Sequence, residues 1–571
     1  MSHLTIATTT HLLDPEALVR PLAQVVGEAM VDLGVTQFFG VLGSGNLEAT
    51  SYSAQAGASF LHARHENAAM MMAAAHTEVS GRSAVCTVHQ GPGLTNALTG
   101  LVECAKSGIP AIVLAGATPQ LAMRGNSYID QERLAHAAGA LARTLLVDGA
   151  EPIGAQLRDA IRAARAKSLP LLVNVPVDHL RTPVAEPRAR YDAAGWRPVP
   201  HLAARGAMDE AVATIRTAKR PVIIVGRGAV IAGATDLCRQ LARRLRAPAG
   251  TTALVHGALA GYSRNLGIIG GFSTQEAAEV LRAADVVIAI GARLTAWTTG
   301  DGDLISAGAR MLHISTTEPD ASLDREYVAC RGDARLVVAE IIERLGERDA
   351  EQEDGWDGNR ALAALQGSSG THAAHEGAGR DSGLLNPREM ATELDALLPT
   401  RTVVVDGGDN AWYGTLFTKP AGDGRSFVFT PAGFQSIGLG LAAGIGAAVA
   451  RPDQLTVISL GDCGALMAAG ELDTLARSPV PVIVIVYNDS AGGAEVHHFA
   501  NSSADVSLAQ FPTVELGAVA ASFGLDSLVV RSLADLQAID DWLHGPRTRS
   551  LLIDARIDPD FVMECAAEAF L

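Results

Sequence analysis

The sequence lacks the features of a nucleic-acid-binding, secreted or membrane protein. Lys and Arg number 45 against 62 Asp and Glu, and the formal net charge is −17, so no basic surface for a phosphate backbone is predicted. The six cysteines show no C-x-x-C spacing, which argues against structural zinc and a disulfide framework. The N-terminus carries no signal-peptide pattern, and no apolar run approaches about 18 residues. We therefore expect a cytoplasmic protein without nucleic-acid or membrane partners.

Apolar residues are plentiful, at 48%, and they fall in short segments separated by alanine-rich helical stretches. The predicted strands lie at 38–42, 84–89, 111–116, 171–177, 222–226, 286–291, 403–408, 455–462 and 482–489. Apolar strands that alternate with helices are typical of parallel sheets covered on both faces. Since 571 residues exceed what one core organises, the sequence predicts an α/β protein with three doubly wound parallel-sheet domains.

Two polar segments separate these domains. Residues 181–200 are rich in Pro, Arg and Ala, and residues 346–383 are acidic and Gly-rich. Both compositions are typical of solvated linkers. We therefore predict domains at 14–183, 200–345 and 385–560, of which the first and third are candidates for a shared fold.

Acidic and amide residues follow two neighbouring predicted strands of the third domain. Asp462 ends the strand at 455–462, and Asn488 and Asp489 end the strand at 482–489. Because ligands of doubly wound sheets bind beyond the carboxyl ends of the strands, we expect these residues to meet in space. The alternative is that Asp462 caps a helix and the Asn-Asp pair forms an ordinary turn.

The residues after Asp462 predict a helix from Gly464 to Ala476. The N–H groups of Cys463, Gly464 and Ala465 would then form an anion-binding helix start. Carboxylate and amide oxygens beside such a start suit Mg²⁺ that shares its coordination with a diphosphate. The stretch is therefore interpreted as a site for a metal and a diphosphate.

The same stretch resembles the GDG-to-NN signature of thiamine-diphosphate-dependent enzymes. The 24 residues from Gly464 to Tyr487 match its usual spacing, but Cys463 replaces the third glycine and Asp489 the second asparagine. The resemblance implies that the metal ligands are Asp462, Asp489 and the backbone carbonyl of Ala491. Asp489 keeps an oxygen ligand and adds a negative charge, so metal binding should survive. Cys463 is interpreted as a small packing residue.

A second resemblance lies in the first domain. The tripeptide Arg64-His65-Glu66 and the later GPGLTNAL resemble the pyrimidine-binding domain of the acetolactate synthase branch of this family. The resemblance implies that Glu66 hydrogen-bonds the aminopyrimidine and promotes loss of the thiazolium proton, whereas from the residues alone Glu66 could be a first-turn helix carboxylate. It also implies that His89 and Gln90 face the thiazolium. A buried, hydrogen-bonded histidine is the alternative.

Further contacts to the coenzyme are implied in the third domain. Ile437 matches the apolar side chain that supports the bent coenzyme, although a core isoleucine in a helix is the alternative. Gly408, Asp409 and Asn410 match a turn that contacts the diphosphate. Because two domains hold the two ends, family members bind the coenzyme between subunits. The resemblance therefore implies a homodimer at minimum and a homotetramer as the expected assembly.

The central domain gives a weaker indication. Its Gly-x-Gly turn at 226–228 lacks a complete dinucleotide fingerprint. Residues 270–274, 291–297 and 332–335 resemble places where relatives hold FAD or ADP. Some relatives keep this domain empty, so both states stay open.

The residues after the second signature differ from those of acetolactate synthases. Two glycines precede Glu495, His497 and His498. Glu495 could transfer protons during the reaction, as in the similar 2-hydroxyacyl-CoA lyases, or the segment could be an exposed polar turn.

Taken over nearly the whole chain, the resemblance implies a thiamine-diphosphate- and Mg²⁺-dependent enzyme that makes or breaks a carbon–carbon bond beside a carbonyl group. It is most similar to acetolactate synthase, a decarboxylase and carboligase of 2-oxo acids, so the expected partner is a small carbonyl substrate. The branch it resembles is also related to benzaldehyde lyase. The alternatives are a 2-hydroxyacyl-CoA lyase or oxalyl-CoA decarboxylase, a cyclic-diketone hydrolase and a catalytically silent coenzyme-binding subunit.

Overall fold

The computed structural model describes residues 19–118, 128–148, 150–186, 200–318, 327–346, 354–368, 384–408, 412–430 and 432–561. Contacts divide the chain into a first unit, residues 1–73 with 82–197, and a second unit, residues 74–81 with 198–571. Within the described ranges, no helix has the length and apolarity needed to cross a bilayer.

Within its described residues, the first unit contains one six-stranded parallel sheet and one antiparallel pair of strands. Its described strands are β1 (Val19–Pro21), β2 (Gln37–Gly40), β3 (Ser59–His62), β4 (Val85–Val88), β5 (Ile112–Ala117), β6 (Leu141–Thr144), β7 (Leu171–Pro176) and β8 (Pro183–Ala185). The helices that begin in it are α1 (Leu22–Asp32), α2 (Leu47–Gln55), α3 (Glu66–Ser80), α4 (Pro92–Asn96), α5 (Leu98–Ser107), α6 (Gln131–Ala137) and α7 (Ile153–Lys167). The sheet order is β3-β2-β4-β5-β7-β6. The apolar cluster of this unit packs α1 and α7 against β5 and β7.

Part of the predicted linker at 181–200 belongs to this fold. Strand β8 pairs antiparallel with β1, and the buried carboxylate of Glu186 accepts the N–H groups of Ile153 and Gly154 at 2.8 and 2.9 Å. Those N–H groups begin α7 and have no acceptor within the helix. The linker prediction is therefore wrong for residues 183–186, because their hydrogen bonds tie them to α7 and β1; residues 187–199 lie outside the described part.

The second unit contains two further parallel sheets. The described strands of the central domain are β9 (Pro221–Val225), β10 (Ala249–Thr251), β11 (Asn265–Ile268), β12 (Val286–Ile290), β13 (Arg310–Ser315) and β14 (Tyr327–Arg331). Its described helices are α8 (Arg205–Thr217), α9 (Arg227–Ile231), α10 (Thr235–Leu245), α11 (Gln275–Arg282), α12 (Ala296–Thr299), α13 (Ala334–Leu345) and α14 (Arg360–Ser368). The sheet order is β11-β10-β9-β12-β13-β14.

The third domain completes this unit. Its described strands are β15 (Thr402–Asp406), β16 (Phe427–Phe429), β17 (Leu455–Gly461), β18 (Ile483–Asn488), β19 (Asp526–Val530) and β20 (Leu551–Arg556). Its described helices are α15 (Pro387–Leu397), α16 (Tyr413–Phe417), α17 (Gly440–Ala450), α18 (Asp462–Met467), α19 (Glu471–Ala476), α20 (Gly493–His498), α21 (Leu516–Ser522) and α22 (Gln537–His544). The sheet order is β16-β15-β17-β18-β20-β19.

The predicted linker at 346–383 is also partly folded. Trp356 is 2% exposed, and its Nε1 donates to the carbonyl of Pro221 at 3.1 Å. Asp354 pairs with Arg264 at 2.6 Å, and α14 follows. The linker prediction is therefore wrong for residues 354–368, because Trp356 is buried against the fold although the surrounding sequence is polar. Residues 369–383 lie outside the described part.

Strand order locates the ligand-binding edges. If the six parallel strands of each sheet are numbered along the chain, the first and third sheets share the order 2-1-3-4-6-5, and the central sheet has 3-2-1-4-5-6. The predicted α/β class with three parallel-sheet domains and the shared fold are confirmed. The order reverses between β2 and β4, between β9 and β12, and between β15 and β17. Ligands of doubly wound sheets bind beyond the carboxyl ends of the strands at these positions.

Candidate active site

Asp406 organises the first strand end of the third sheet. It is fully buried, and its Oδ1 accepts the N–H of Gly408 at 2.9 Å while Oδ2 accepts the N–H of Thr415 at 2.9 Å. Burial raises the pKa of the Asp406 carboxyl to about 7, although these hydrogen bonds act in the opposite direction. Gly408 has a φ of 77°, which favours glycine. Its N–H is thus used within the turn, and the predicted contacts Asp409 and Asn410 lie outside the described residues.

Asp462 lies across the strand reversal and joins two strand ends. It is 2% exposed and is the first residue of α18. Its Oδ1 accepts the N–H of Cys463, and its Oδ2 accepts the N–H of Ser490, both at 2.8 Å. Since Ser490 follows Asp489, the structure brings Asp462 and the Asp489 turn together, as the sequence predicts. Carboxylate oxygens such as those of Asp462 are typical ligands of hard divalent cations.

The predicted helix from Gly464 to Ala476 is wrong in its bounds. The structure has two short helices, α18 and α19, and the first begins at Asp462. Between them, N–H groups bond three residues back, from Ala468 to Ala465 at 3.2 Å and from Glu471 to Ala468 at 2.9 Å. Glu471 is buried and accepts a hydrogen bond from Oγ1 of Thr474 at 2.7 Å. Glu471 begins the second helix, while Cys463, Gly464 and Ala465 stay in the first turn of α18.

The two residues at the end of β18 have different environments. Asn488 is 3% exposed, and its Nδ2 donates into the interior, to Asp554 at 2.9 Å. Asp489 is half-buried, and its Oδ1 accepts the N–H of Ala491 at 3.2 Å. Ser490, which lies between Asp489 and Ala491, has a φ of 61°, which is rare for a residue with a side chain. The predicted ligands Asp489 and Ala491 thus lie in one tight turn, and Ser490 of the same turn donates its N–H to Asp462.

Ile437 lies in a bend before α17 and not in a helix. It is half-buried and lies between two residues with positive φ, Gln435 at 56° and Gly438 at 78°. A Cβ on Gly438 would lie 3.0 Å from Cβ of Met467. The bend therefore packs closely on α18, near the Asp462 turn.

His89 lies at the strand reversal of the first sheet. It follows β4, and its Nδ1 accepts the N–H of Gly45 at 3.2 Å, so the neutral ring carries its proton on Nε2. The neighbouring Gln90 is half-buried, and its Oε1 is buried without a hydrogen-bond partner among the described residues. An alanine Cβ at Gly45 would lie 1.8 Å from this oxygen. The glycine of the β2 loop therefore makes room for Gln90.

Glu66 begins α3, as both interpretations of this residue require. It is half-buried, and its Oε2 accepts a hydrogen bond from Nδ2 of Asn96 at 3.0 Å. Burial raises the pKa of the Cys86 thiol, and the charge of Glu66 raises it further. Cys86 therefore stays protonated at neutral pH. No role for Asn96 was predicted from the sequence, although it lies in the GPGLTNAL motif. Its amide orients the carboxylate.

Gln131 is a further residue that the sequence did not indicate. It is 5% exposed; its Oε1 accepts the N–H of Gly91 at 2.9 Å, and its Nε2 donates to Gly116 and Asn174 at 3.0 and 2.8 Å. Gly91 directly follows Gln90 and has a φ of 68°. Gln131 therefore anchors this turn across the carboxyl edge of the sheet. No local pattern indicates this role, because its partners are distant in sequence.

Glu495 lies on α20 and is exposed. His497 is half-buried; burial lowers the pKa of its ring, and the charge of Asp560 raises it. The ring of His498 packs edge-on against Phe499. The proton-transfer role of Glu495 therefore stays a prediction. The polar-turn alternative is right about its exposure but wrong about the turn, because Gly493–His498 form a helix.

At the strand reversal of the central sheet, backbone groups of the Gly-x-Gly turn bond to the end of the neighbouring strand. The N–H groups of Gly226 and Gly228 donate to the carbonyls of Ile290 and Gly291, both at 2.9 Å. A Cβ on Gly226 would lie 2.4 Å from Cα of Ala292. Because its donors are used within the fold, this Gly-x-Gly turn does not fit a dinucleotide diphosphate, which needs such donors.

The other stretches with a resemblance to nucleotide sites also have structural contacts. A Cβ on Gly271 would lie 2.4 Å from the ring of Trp297, and that ring packs edge-on against Phe272 and Trp412. Asp333 caps α13. These contacts lie within the fold, and bound FAD or ADP at these stretches stays a prediction.

The site offers few side-chain ligands for a metal. Among the residues with described positions, no group of three or more His, Cys, Asp or Glu side chains could hold an ion. The turns of Asp462 and Asp489 supply two carboxylates, beside the backbone groups of α18 and Ala491. Mg²⁺ commonly takes one or two carboxylates and completes its shell with water and substrate phosphates. This donor set therefore fits Mg²⁺ bound to a diphosphate.

Comparison with known proteins gives matches in all three domains. Residues 20–137 match the thiamine pyrophosphate enzyme N-terminal TPP binding domain, residues 208–341 the central domain and residues 406–554 the C-terminal TPP binding domain. The chain is 28% identical over 479 residues to the acetolactate synthase large subunit of Parasynechococcus marenigrum, covering 82% of this chain and 76% of the relative. It is 27% identical to acetolactate synthase isozyme 3 large subunit of Escherichia coli, covering 82% of both chains. It is 26% identical to sulfoacetaldehyde acetyltransferase of Roseovarius nubinhibens, covering 95% of this chain and 93% of the relative.

Proposed function

Because the chain belongs to the thiamine pyrophosphate enzymes, in their acetolactate synthase-like branch, we propose that it is a decarboxylase and carboligase of 2-oxo acids that uses thiamine diphosphate and Mg²⁺. The observation that carries this proposal is the hydrogen bond from the N–H of Ser490 to Asp462. It brings two acidic strand ends together beside a helix start. Metal and diphosphate chemistry needs such an arrangement.

In this proposal the third domain holds the metal and the diphosphate. Asp462, Asp489 and the carbonyl of Ala491 would bind Mg²⁺, and the first turn of α18 would receive the diphosphate. Asp489 contributes a charge where an asparagine would contribute only a dipole, so it strengthens the attraction for a divalent cation.

The first domain supplies the acid–base group. Glu66 would hold and exchange a proton with the pyrimidine, and the amide of Asn96 orients its Oε2. His89, with its proton on Nε2, would donate toward the substrate, while Gln90 has a buried oxygen without a partner in the described structure. When bound, thiamine diphosphate supplies the electron sink that stabilises a carbanion beside a carbonyl.

Two substrate classes have support. The acetolactate synthase relatives support a 2-oxo acid such as pyruvate. The sulfoacetaldehyde acetyltransferase relatives support acetyl transfer with sulfoacetaldehyde as a second candidate, and one of them aligns with 95% of the chain. No nucleotide role is proposed for the central domain, because its Gly-x-Gly turn does not fit one.

We also propose a homodimer as the smallest active assembly and a homotetramer as the complete one. Large apolar side chains near the candidate site support this, because they are exposed in the single chain: Phe434 at 44%, Met467 at 63% and Phe499 at 44%. A partner subunit would bury them. Sedimentation analysis at several concentrations tests the assembly. The cytoplasmic location is likewise kept as a proposal.

The decisive experiment is a substrate panel with the full-length protein. Thiamine diphosphate, MgCl₂ and 2-oxo acids, 2-hydroxyacyl-CoAs or sulfoacetaldehyde are incubated with it, and products are identified by mass spectrometry. Coenzyme-dependent release of CO₂ from pyruvate with formation of acetolactate supports the proposal. Turnover of a CoA ester or sulfoacetaldehyde alone would replace it, and absence of coenzyme binding would overturn it.

A further inference from the structure

A buried polar cluster lies behind the Asp489 turn. It consists of Asn488, Asp554 and Arg556, which are 3%, 0% and 9% exposed. Asn488 ends β18, and the other two lie on the neighbouring strand β20, where Arg556 is the register partner of Asn488. Buried charges are rare in proteins unless they are paired, so this cluster needs a physical explanation.

The cluster is closely hydrogen-bonded. Asp554 accepts from Nδ2 of Asn488 at 2.9 Å through Oδ1 and from Nη2 of Arg556 at 2.7 Å through Oδ2. The same two donors reach the carbonyl of Val514, each at 3.2 Å. The N–H of Gly517 adds a bond to Asp554 at 3.3 Å. The carboxylate is therefore compensated, and Asn488 has little freedom to rotate.

The segment that reaches the cluster also holds the turn from its other side. The N–H of Phe511 donates to the carbonyl of Ser490 at 3.0 Å, and the N–H of Gly492 donates to Ala509 at 2.8 Å. The hydroxyl groups of Ser490 and Thr513 are 2.7 Å apart. Asp489 thus lies in a turn whose preceding residue is bound to the interior and whose following residues are bound to residues 509–513.

We propose that Asn488, Asp554 and Arg556 are positioning residues that set the place of Asp489 for divalent-cation binding. This inference rests on the proposed function, in which Asp489 is a metal ligand. None of the three touches the cation. They act through the backbone of the turn, as residues that support metal ligands commonly do.

The chemistry of the cluster explains why an amide precedes the ligand. In Asn488→Asp, a carboxylate oxygen would replace the Nδ2 donor and would face two hydrogen-bond acceptors, the carboxylate of Asp554 and the carbonyl of Val514. Two buried carboxylates then repel each other, and the turn has to move to separate them. Asp554→Asn in the same chain would remove one of these conflicts, because the new amide can donate to the new carboxylate.

The test measures Mg²⁺ affinity by calorimetric titration of MgCl₂ into the full-length protein with thiamine diphosphate present. We expect Asn488→Asp to raise the Kd about tenfold, Asn488→Ala to raise it about fivefold through loss of both hydrogen bonds, and the double variant Asn488→Asp/Asp554→Asn to bind more tightly than Asn488→Asp. Melting temperatures without metal are recorded for each. A cluster that only stabilised the fold would lower them without changing the Kd.

Asn386→Asp is the matched control. It introduces the same charge into the same unit, at a helix cap whose Oδ1 accepts from the N–H groups of Arg388 and Glu389, a function that Asp performs equally well. Its Kd should stay within about twofold of the wild type. The inference is overturned if Asn488→Ala and every folded Asn488→Asp variant also stay within that range. Failure of the wild type to bind Mg²⁺ with thiamine diphosphate would instead refute the proposed function.

Discussion

Glu66→Gln tests the acid–base role in the first domain. Glutamine keeps the shape of the side chain, and its amide oxygen can still accept the hydrogen bond of Asn96 that Glu66 accepts at 3.0 Å. The ability to take and return a proton is lost. General acid–base catalysis contributes about 10²- to 10⁴-fold, so kcat should fall by that factor, which corresponds to about 3–5 kcal/mol of activation free energy.

The same variant should fold normally. Exchange of a charge-assisted hydrogen bond for a neutral one at a half-exposed site costs about 1 kcal/mol of unfolding free energy. In a chain of this size that lowers the melting temperature by only about 2 °C. Binding of thiamine diphosphate, measured by calorimetry, should weaken by no more than about tenfold.

The assay is steady-state turnover of the substrate that the panel identifies, with saturating coenzyme and Mg²⁺. Glu48→Gln is the control, since Glu48 lies in the first turn of α2 in the same unit and pairs at the surface with Arg181 at 2.6 Å; its kcat should match the wild type. A Glu66→Gln variant with kcat within tenfold of the wild type, and with coenzyme bound, would refute the assigned role.

Gly45→Ala should lower kcat more than it lowers the melting temperature, because the new Cβ would lie 1.8 Å from Oε1 of Gln90 and displace that side chain. Steady-state kinetics and thermal melting measure the two effects separately, and an unchanged kcat would contradict a role for Gln90. Asp489→Asn should raise the Kd for Mg²⁺ about tenfold through the lost charge, whereas an equal Kd would speak against a ligand role. Lowering the pH from 6.5 to 4 should cost about 3 kcal/mol of unfolding free energy through His256. Burial lowers its pKa to about 4, so between these pH values the unfolded chain binds the proton more fully than the folded chain. Urea titrations should show a shallower pH slope for His256→Phe, and equal slopes would disprove this.

The class of fold and the strand ends that carry the chemistry could be predicted from the sequence. Strands such as β17 and β18 are buried along their whole length, so both faces must be apolar, and this pattern is visible in a single segment. The positions of Asp462 and Asp489 follow from it, because residues directly after such strands lie at the carboxyl edge of the sheet. Glu66 could be placed at a helix start because it lies where an apolar strand meets an Ala- and Met-rich helical segment, and this pattern is also local.

Which polar groups contact each other could not be predicted from the sequence and depends on the tertiary fold. Asn488 bonds to Asp554, 66 residues away, and Gln131 bonds to Gly91, 40 residues away. The helix predicted from Gly464 to Ala476 is divided by the turn at residues 468–470. A local pattern reports whether one segment is buried, but a hydrogen-bond partner depends on which strands become neighbours, and that order arises only when the whole sheet assembles.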